Sequence, residues 1–282
     1  MGSPSRSPDI LFAPAYPLRV IDTHCHLTFP DFAGRTAAIL DQARDAGVTG
    51  AITVSTTTRD CLDALALARS HHRLWCSAGV HPLYSDRSPH EWENLALVAR
   101  DQRCVAWGEL GLDNHYERPD SPTQRRVLRE QLEFIQACHA RPRARTLPVI
   151  LHCREAFADL VPILRATTLD PTRFVFHCFT GTPDDARLAL DFGAMISFTG
   201  VVTYRNAPEV REAARLVPLD RIMVETDAPF LSPEPKRGTR PCTPALVRLT
   251  AEALAELRAE PWDSFHQAVN DNTRRFFAID AD

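Results

Sequence analysis

The sequence predicts an α/β fold, a (β/α)8 TIM barrel, on three observations. Eight nearly uniform apolar runs recur along the chain, helical stretches lie between them, and most of the runs end in a residue able to ligate a metal ion. Eight strands alternating with helices over about 260 residues is the arithmetic of this barrel, whose C-terminal strand ends converge on one mouth.

The first run is Val20-Ile-Asp-Thr-His-Cys-His-Leu27. Alternate residues of a strand share a face, so His24 and His26 are expected to point at one ion while Cys25 points away. Imidazole suits zinc and similar divalent ions. Val48 to Val54 is the second run, and Leu74 to Val80, the third, ends at His81. The fourth, Cys104 to Trp107, leads into Gly108-Glu109 and Gly111-Leu-Asp113. The clearest helix follows, Ser121 to Cys138, where Val127, Leu128, Leu132 and Ile135 recur at helical spacing. Leu147 to Leu151 ends at His152, and Arg173 to Phe176 ends at His177. Gly193 to Phe198 is the seventh strand, and Arg221 to Val224 ends in Glu225-Thr226-Asp227.

A chain of 282 residues with 44% hydrophobic content can bury one large core, placed at residues 19–282. Residues 1–18 read as a disordered tail without the basic start and long apolar stretch of a signal peptide. No apolar run reaches the roughly 18 residues of a membrane span. The 8 cysteines include no Cys-x-x-Cys pair, which argues against a zinc finger or a disulfide scaffold and for the reducing cytoplasm. Cys25, Cys153 and Cys178 each follow a candidate ligand histidine, so alternation turns them toward the helices as small core residues. His71, His72, His90, His139 and His266 read as surface residues.

Seven segments together resemble the TatD family of metal-dependent hydrolases, within the amidohydrolase-like barrels. They are Asp22-Thr-His-Cys-His-Leu27, Gly79-Val-His-Pro82, Gly108-Glu-Leu-Gly-Leu-Asp113, Pro148-Val-Ile-Leu-His-Cys-Arg-Glu-Ala156, His177-Cys-Phe-Thr-Gly181, Ser197-Phe-Thr-Gly200 and Glu225-Thr-Asp-Ala-Pro229. They occur in the family's order across residues 19 to 280. Within the family, the chain resembles most the branch that keeps both histidines of the first strand, like the bacterial exonuclease-type paralogues.

The resemblance implies two divalent ions (Mg, Mn or Zn). His24, His26 and Asp227 would hold one, His152 and His177 the other, and Glu109 would bridge them. Neighbouring cations repel, so a carboxylate between them is needed. A carboxylated lysine in that role is closed by composition, because the sole lysine, Lys236, lies in a loop after the last strand. The implied activity is phosphodiester hydrolysis, most nearly that of a 3′-5′ exodeoxyribonuclease. Asp227 is the candidate general base, with a pure ligand role as its alternative. Arg154 shares a face with His152 and is placed to grip a substrate phosphate bidentately or to form a salt bridge at the mouth. His81 would bind substrate or order a water.

A net charge of −4 does not fit a protein that wraps long duplex, but it fits an enzyme that takes a single-stranded nucleic-acid end into a cleft. Arg205, Lys236, Arg237 and Arg240 would guide the strand, with Tyr204 or Phe230 stacking on a base. Two departures from the family pattern stand out. Cys242 replaces the usual asparagine, which bears on fine specificity, and the basic insertion Arg141-Pro-Arg-Ala-Arg-Thr146 is expected on the face opposite the site. An amidohydrolase or esterase acting on a small molecule would use the same barrel behind a closed apolar pocket. A noncatalytic scaffold is disfavoured because every implied ligand position is filled.

Overall fold

In the computed structural model the described residues are 19–280, and the expected disordered tail lies outside them. Eight strands form one sheet in sequence order: β1 (Val20–Cys25), β2 (Val48–Thr53), β3 (Leu74–Ala78), β4 (Cys104–Asp113), β5 (Val149–Arg154), β6 (Phe174–Phe176), β7 (Met195–Phe198) and β8 (Ile222–Val224). All neighbouring pairs are parallel. The seam between β8 and β1 is drawn together by a parallel bridge from Cys25 to Ala228, with Asp227 N–H donating to His24 O at 2.9 Å and His26 N–H to Ala228 O at 2.7 Å. The result is a nearly closed (β/α)8 barrel.

The helices are α1 (Thr36–Asp45), α2 (Asp60–Ser70), α3 (Trp92–Ala99), α4 (Ser121–His139), α5 (Phe157–Arg165), α6 (Pro183–Phe192), α7 (Pro208–Leu216), α8 (Val247–Leu257) and α9 (Trp262–Phe277). None is long and apolar enough to cross a membrane. Strand alternation sorts the core into two layers. Ile21, Ile52, Val105, Ile150, Val175 and Met223 fill the barrel, and Phe276 and Phe277 of α9 pack into the same cluster. Val149, Leu151 and Cys153 of β5 point the other way, into the layer shared with the helices. Each such fully buried side chain contributes roughly 1.5–3 kcal/mol, so the strand-end loops stand on a rigid base.

Several strand ends differ from the sequence expectation by up to three residues, β3 ending at Ala78 and β5 running from Val149 to Arg154, and at two further boundaries glycine explains the difference. The fourth strand does not stop at Trp107 but runs ten residues to Asp113, with a register irregularity between Trp107 and Leu110. Gly108 (φ +122°) and Gly111 (φ +151°) let β4 press against β5: a Cβ at Gly111 would lie 1.9 Å from His152 O, and one at Gly108 2.6 Å from Ile150 O. No other residue fits that approach. Glu109 is therefore held inside a strand. Gly193 opens no strand; at φ +111° it caps the C-terminus of α6, and the seventh strand begins at Met195.

Helix α4 does more than cover the barrel. Asp120 caps it by accepting from Thr123 N–H at 2.9 Å, and its buried face carries two glutamines among apolar residues. Gln131 accepts from Val80 N–H at 2.8 Å and donates to Val80 O at 2.9 Å, immediately before His81. Gln124 does the same for Asp113, at 2.8 and 2.9 Å. These amides satisfy backbone groups that would each cost about 1–3 kcal/mol if buried unpaired, and they fix two strand ends that face the mouth. The basic insertion lies where expected: Arg145 donates to Asp101 O and Cys104 O, at the N-terminal end of β4.

Candidate metal centre

Glu109 is the middle of the site. It is almost fully buried, and its two oxygens face two different sets of groups. Oε2 lies 3.3 Å from His24 Nε2 and 3.8 Å from His26 Nε2, while Asp227 Oδ1 stands 3.8 and 3.4 Å from the same two nitrogens. Oε1 lies 2.6 Å from His177 Nε2, 2.7 Å from His152 Nδ1 and 3.3 Å from His81 Nε2. Three clusters of metal-donor atoms follow: His24, His177 and Asp227; His24, His26 and Glu109; His81, Glu109 and His152. All six residues expected as ligands are thus brought together, with His81 beside them.

What each imidazole offers the centre depends on its other nitrogen, because a neutral ring has one donor and one acceptor. His26 Nδ1 donates to Val54 O at 2.9 Å, His152 Nε2 to Asp113 Oδ2 at 2.9 Å and His177 Nδ1 to Glu225 Oε1 at 3.2 Å. Each of these three rings therefore turns a lone pair inward, toward a carboxylate. Lone pairs converging on lone pairs suit cations. A buried atom agrees: Glu109 Oε2 has no hydrogen-bond partner. The donor set fits divalent metal.

His81 is different. Its Nδ1 accepts from Leu83 N–H at 3.0 Å, so the neutral ring carries its hydrogen on Nε2, pointing into the site. Burial, moderated by Glu109, pushes its pKa down to about 4, so the ring is neutral. His81 is thus a hydrogen-bond donor where the rings of His26, His152 and His177 are acceptors. Burial opposes charge on Glu109, yet the surrounding imidazoles, His177 foremost, hold its carboxyl well below the usual range when they are protonated and donate to it, and a cation at the centre takes the place of those protons. Burial likewise opposes the charge of Asp227, and His26 outweighs it.

Three carboxylates that sequence reasoning did not assign hold the rings and loops. Asp113 also accepts from His115 N–H at 3.0 Å, tying the loop after β4 to His152. Glu225 accepts from Cys178 N–H as well as from His177. Asp22 accepts from Thr226 N–H at 2.9 Å and Thr226 Oγ1 at 2.6 Å, anchoring the segment on which Asp227 sits at φ +56°. Burial pushes the Asp22 carboxyl up to about 8 against those two bonds. Asp113 and Glu225 both stand at strand ends, and that placement was a signal available in the sequence.

The centre floors a cavity of about 890 Å³ whose wall includes Phe29, Tyr84, Tyr116, Arg154 and Phe230. Arg154 lies over the Tyr116 ring at 5.3 Å rather than in a salt bridge. Cys25 and Cys153 pack in the helix layer, but Cys178 does not: at φ +45° its backbone has left strand geometry, and the residue is half-buried. Cys242 is fully buried, with its N–H donating to Pro229 O at 3.0 Å. None of the cysteines is disulfide-bonded. Of the histidines expected on the surface His72 is exposed, whereas His71, His90, His139 and His266 are half-buried, His139 accepting from Trp107 Nε1 at 3.1 Å.

A profile of the family described as TatD related DNase matches residues 21–278. The chain belongs to the TatD DNase family. The metal-dependent hydrolase YcfH of Escherichia coli K12, itself uncharacterised, is 38% identical over 93% of this chain and 97% of its own length. The 3′-5′ ssDNA/RNA exonuclease TatD of Enterobacter lignolyticus is 34% identical over 92% of this chain and 99% of its own. Among solved structures, the TatD homologue YjjV of Escherichia coli K12 superposes with a TM-score of 0.85 at 34% identity, covering 94% of this chain and 100% of that one. As a TatD-family member, this protein is a metal-dependent hydrolase whose His, Glu and Asp clusters are able to bind metal.

Proposed function

We propose that this protein hydrolyses phosphodiester bonds at the ends of single-stranded nucleic acid, working from the 3′ end, with two divalent ions shared by Glu109. The carrying observation is the division of that carboxylate, with Oε2 toward His24 and His26 and Oε1 toward His152 and His177. Bound divalent ions supply a water of lowered pKa and positive charge for the phosphoryl oxygens. Asp227, ionised and reaching both His24 and His26, accepts the proton of the attacking water. His81 directs its Nε2 hydrogen at a phosphoryl oxygen, and Arg154 on the cavity wall takes a second one. The exonuclease names of relatives at about this identity support the substrate and its polarity.

The test is end-labelled single-stranded DNA and RNA, offered to protein stripped by a chelator and reloaded with Mg, Mn or Zn, beside a carboxylate ester and an amide. Release of mononucleotides from the 3′ label, abolished on chelation and restored by metal, is expected. Turnover of the ester or amide with both nucleic acids untouched overturns the reading in favour of a small-molecule hydrolase.

A further inference from the structure

The loops around the mouth repeat one pairing that metal chemistry does not use. Arg87 lies over Tyr84 at 4.1 Å, Arg154 over Tyr116 at 5.3 Å, Arg237 over Tyr204 at 4.0 Å and Arg240 over Phe230 at 4.9 Å. Tyr84, Tyr116 and Phe230 line the cavity itself. Tyr204 is fastened to the loop after β8, its hydroxyl donating to Ser232 O at 2.9 Å.

Some exposed arginines of this chain settle on a carboxylate: Arg44 on Asp41, Arg59 on Glu91, Arg69 on Asp101, Arg126 on Glu130. The rim arginines do not. Among the described residues, Arg87, Arg154 and Arg240 have no carboxylate within ion-pair distance, and Arg237 has only Glu234 at 3.9 Å. Three of the four guanidinium groups therefore lie over a π-face with their bidentate donors unclaimed by any acid, and the fourth has one long ion pair. A phosphate is the natural acceptor for such a fork, and a nucleobase is the natural occupant of the ring face beneath it.

Building on the phosphodiesterase reading, we infer that the four arginine-aromatic pairs are stacking subsites for successive bases of a single strand, each covered by its own arginine until the strand arrives. On binding, a base takes the ring face and the displaced guanidinium moves to a backbone phosphate. Every base has a π-face, so the subsites are indifferent to sequence. The exchange also reconciles a net charge of −4 with a polyanionic substrate, because the attraction is local to the rim.

The experiment is fluorescence anisotropy of the metal-loaded full chain with nuclease-resistant phosphorothioate oligothymidylates, from a dinucleotide to a decanucleotide, across a salt series. Turnover of methyl p-nitrophenyl phosphate is followed in parallel. Affinity should rise with length and then level off, with a slope of log K against log salt of about −2.8, four phosphates at roughly −0.7 each. Tyr204→Leu should weaken binding about tenfold with the slope retained, and Tyr204→Phe, which keeps the ring, should bind like the parent. Arg237→Ala should reduce the slope by roughly 0.7. Equal weakening by Tyr204→Phe and Tyr204→Leu, or a slope near zero while the small diester is still cleaved, overturns the subsites and leaves the phosphodiesterase standing. Failure to cleave any diester with any of the metals sinks the phosphodiesterase reading and the subsites with it.

Discussion

Asp113→Asn isolates a single proton. Asp113 Oδ2 accepts from His152 Nε2 at 2.9 Å, and Oδ1 accepts from the backbone N–H groups of His115 at 3.0 Å and Tyr116 at 3.4 Å. Asparagine has the same shape. Its oxygen is held by the two loop N–H groups, so its amide nitrogen must face His152. Two donors cannot share that contact, and His152 shifts its hydrogen to Nδ1, the nitrogen 2.7 Å from Glu109 Oε1. The lone pair that served the metal side of the ring is then gone.

Restoring it would break the new bond and set two donors against each other, a penalty of about 1.5–3 kcal/mol for a hydrogen bond that was charge-assisted. Metal affinity on the Oε1 side should fall about 10- to 100-fold, the usual size of such outer-partner effects. The other side, built on His24, His26 and Asp227, should keep its affinity. Competition titration against a chelator, followed by metal analysis of the protein, reads both sides, and thermal unfolding of the stripped protein checks that the loop still folds. Two ions held as tightly as in the parent would refute the tautomer argument.

Glu109→Gln should remove metal from both sides, whereas His24→Ala should leave the His152 side largely loaded; equal residual metal in the two variants, by elemental analysis, would show that Glu109 serves one ion only. His81→Ala should lower kcat on a phosphodiester about 100-fold, as expected for a lost oxyanion donor, with metal content unchanged; a matching loss of metal would make His81 a ligand. His139 reports on stability. Burial lowers its pKa below 6.5, so the unfolded chain binds the proton more readily, and the Trp107 bond that needs a neutral ring is fully present above that pH and lost as pH falls through the lower folded value. The parent should therefore lose about 1 kcal/mol more stability than His139→Gln between neutral and acid pH in urea titrations, since glutamine keeps an acceptor without titrating.

The barrel was legible because burial on both faces makes each strand a continuous apolar run, and because alternation alone dictates that His24 and His26 flank an outward Cys25. Sequence reasoning failed where the backbone departs from that regularity. Cys178 has turned at φ +45°, so parity no longer assigns its side, and β4 continues through two glycines that look like a strand end. The outer partners Asp113, Glu225 and Asp22 stand at positions the sequence marks, but which group each one holds was not legible, since each acts on a residue of another strand or loop. The arginine-aromatic stacks over Tyr116 and Phe230 are illegible for the same reason: Arg154 meets a ring from the loop after β4, and Arg240 one that lies on the far side of six exposed residues.

The division between acceptor and donor histidines gives the centre its chemical asymmetry. Five imidazoles crowd around one buried carboxylate, a set that residue type alone would call uniform. Their outer contacts differ. A carbonyl or carboxylate behind the ring, as at His26, His152 and His177, leaves a lone pair in front; an N–H behind it, as at His81, leaves a hydrogen. Lone pairs collect cations, and a hydrogen is of use only to a negatively charged oxygen that the cations bring in. A phosphodiester supplies such an oxygen in the ground state and gains charge during attack, so a fixed neutral donor there is matched to both. The end of β5, which carries Arg154, and the loop that carries Tyr84 then decide what is attached to that phosphate.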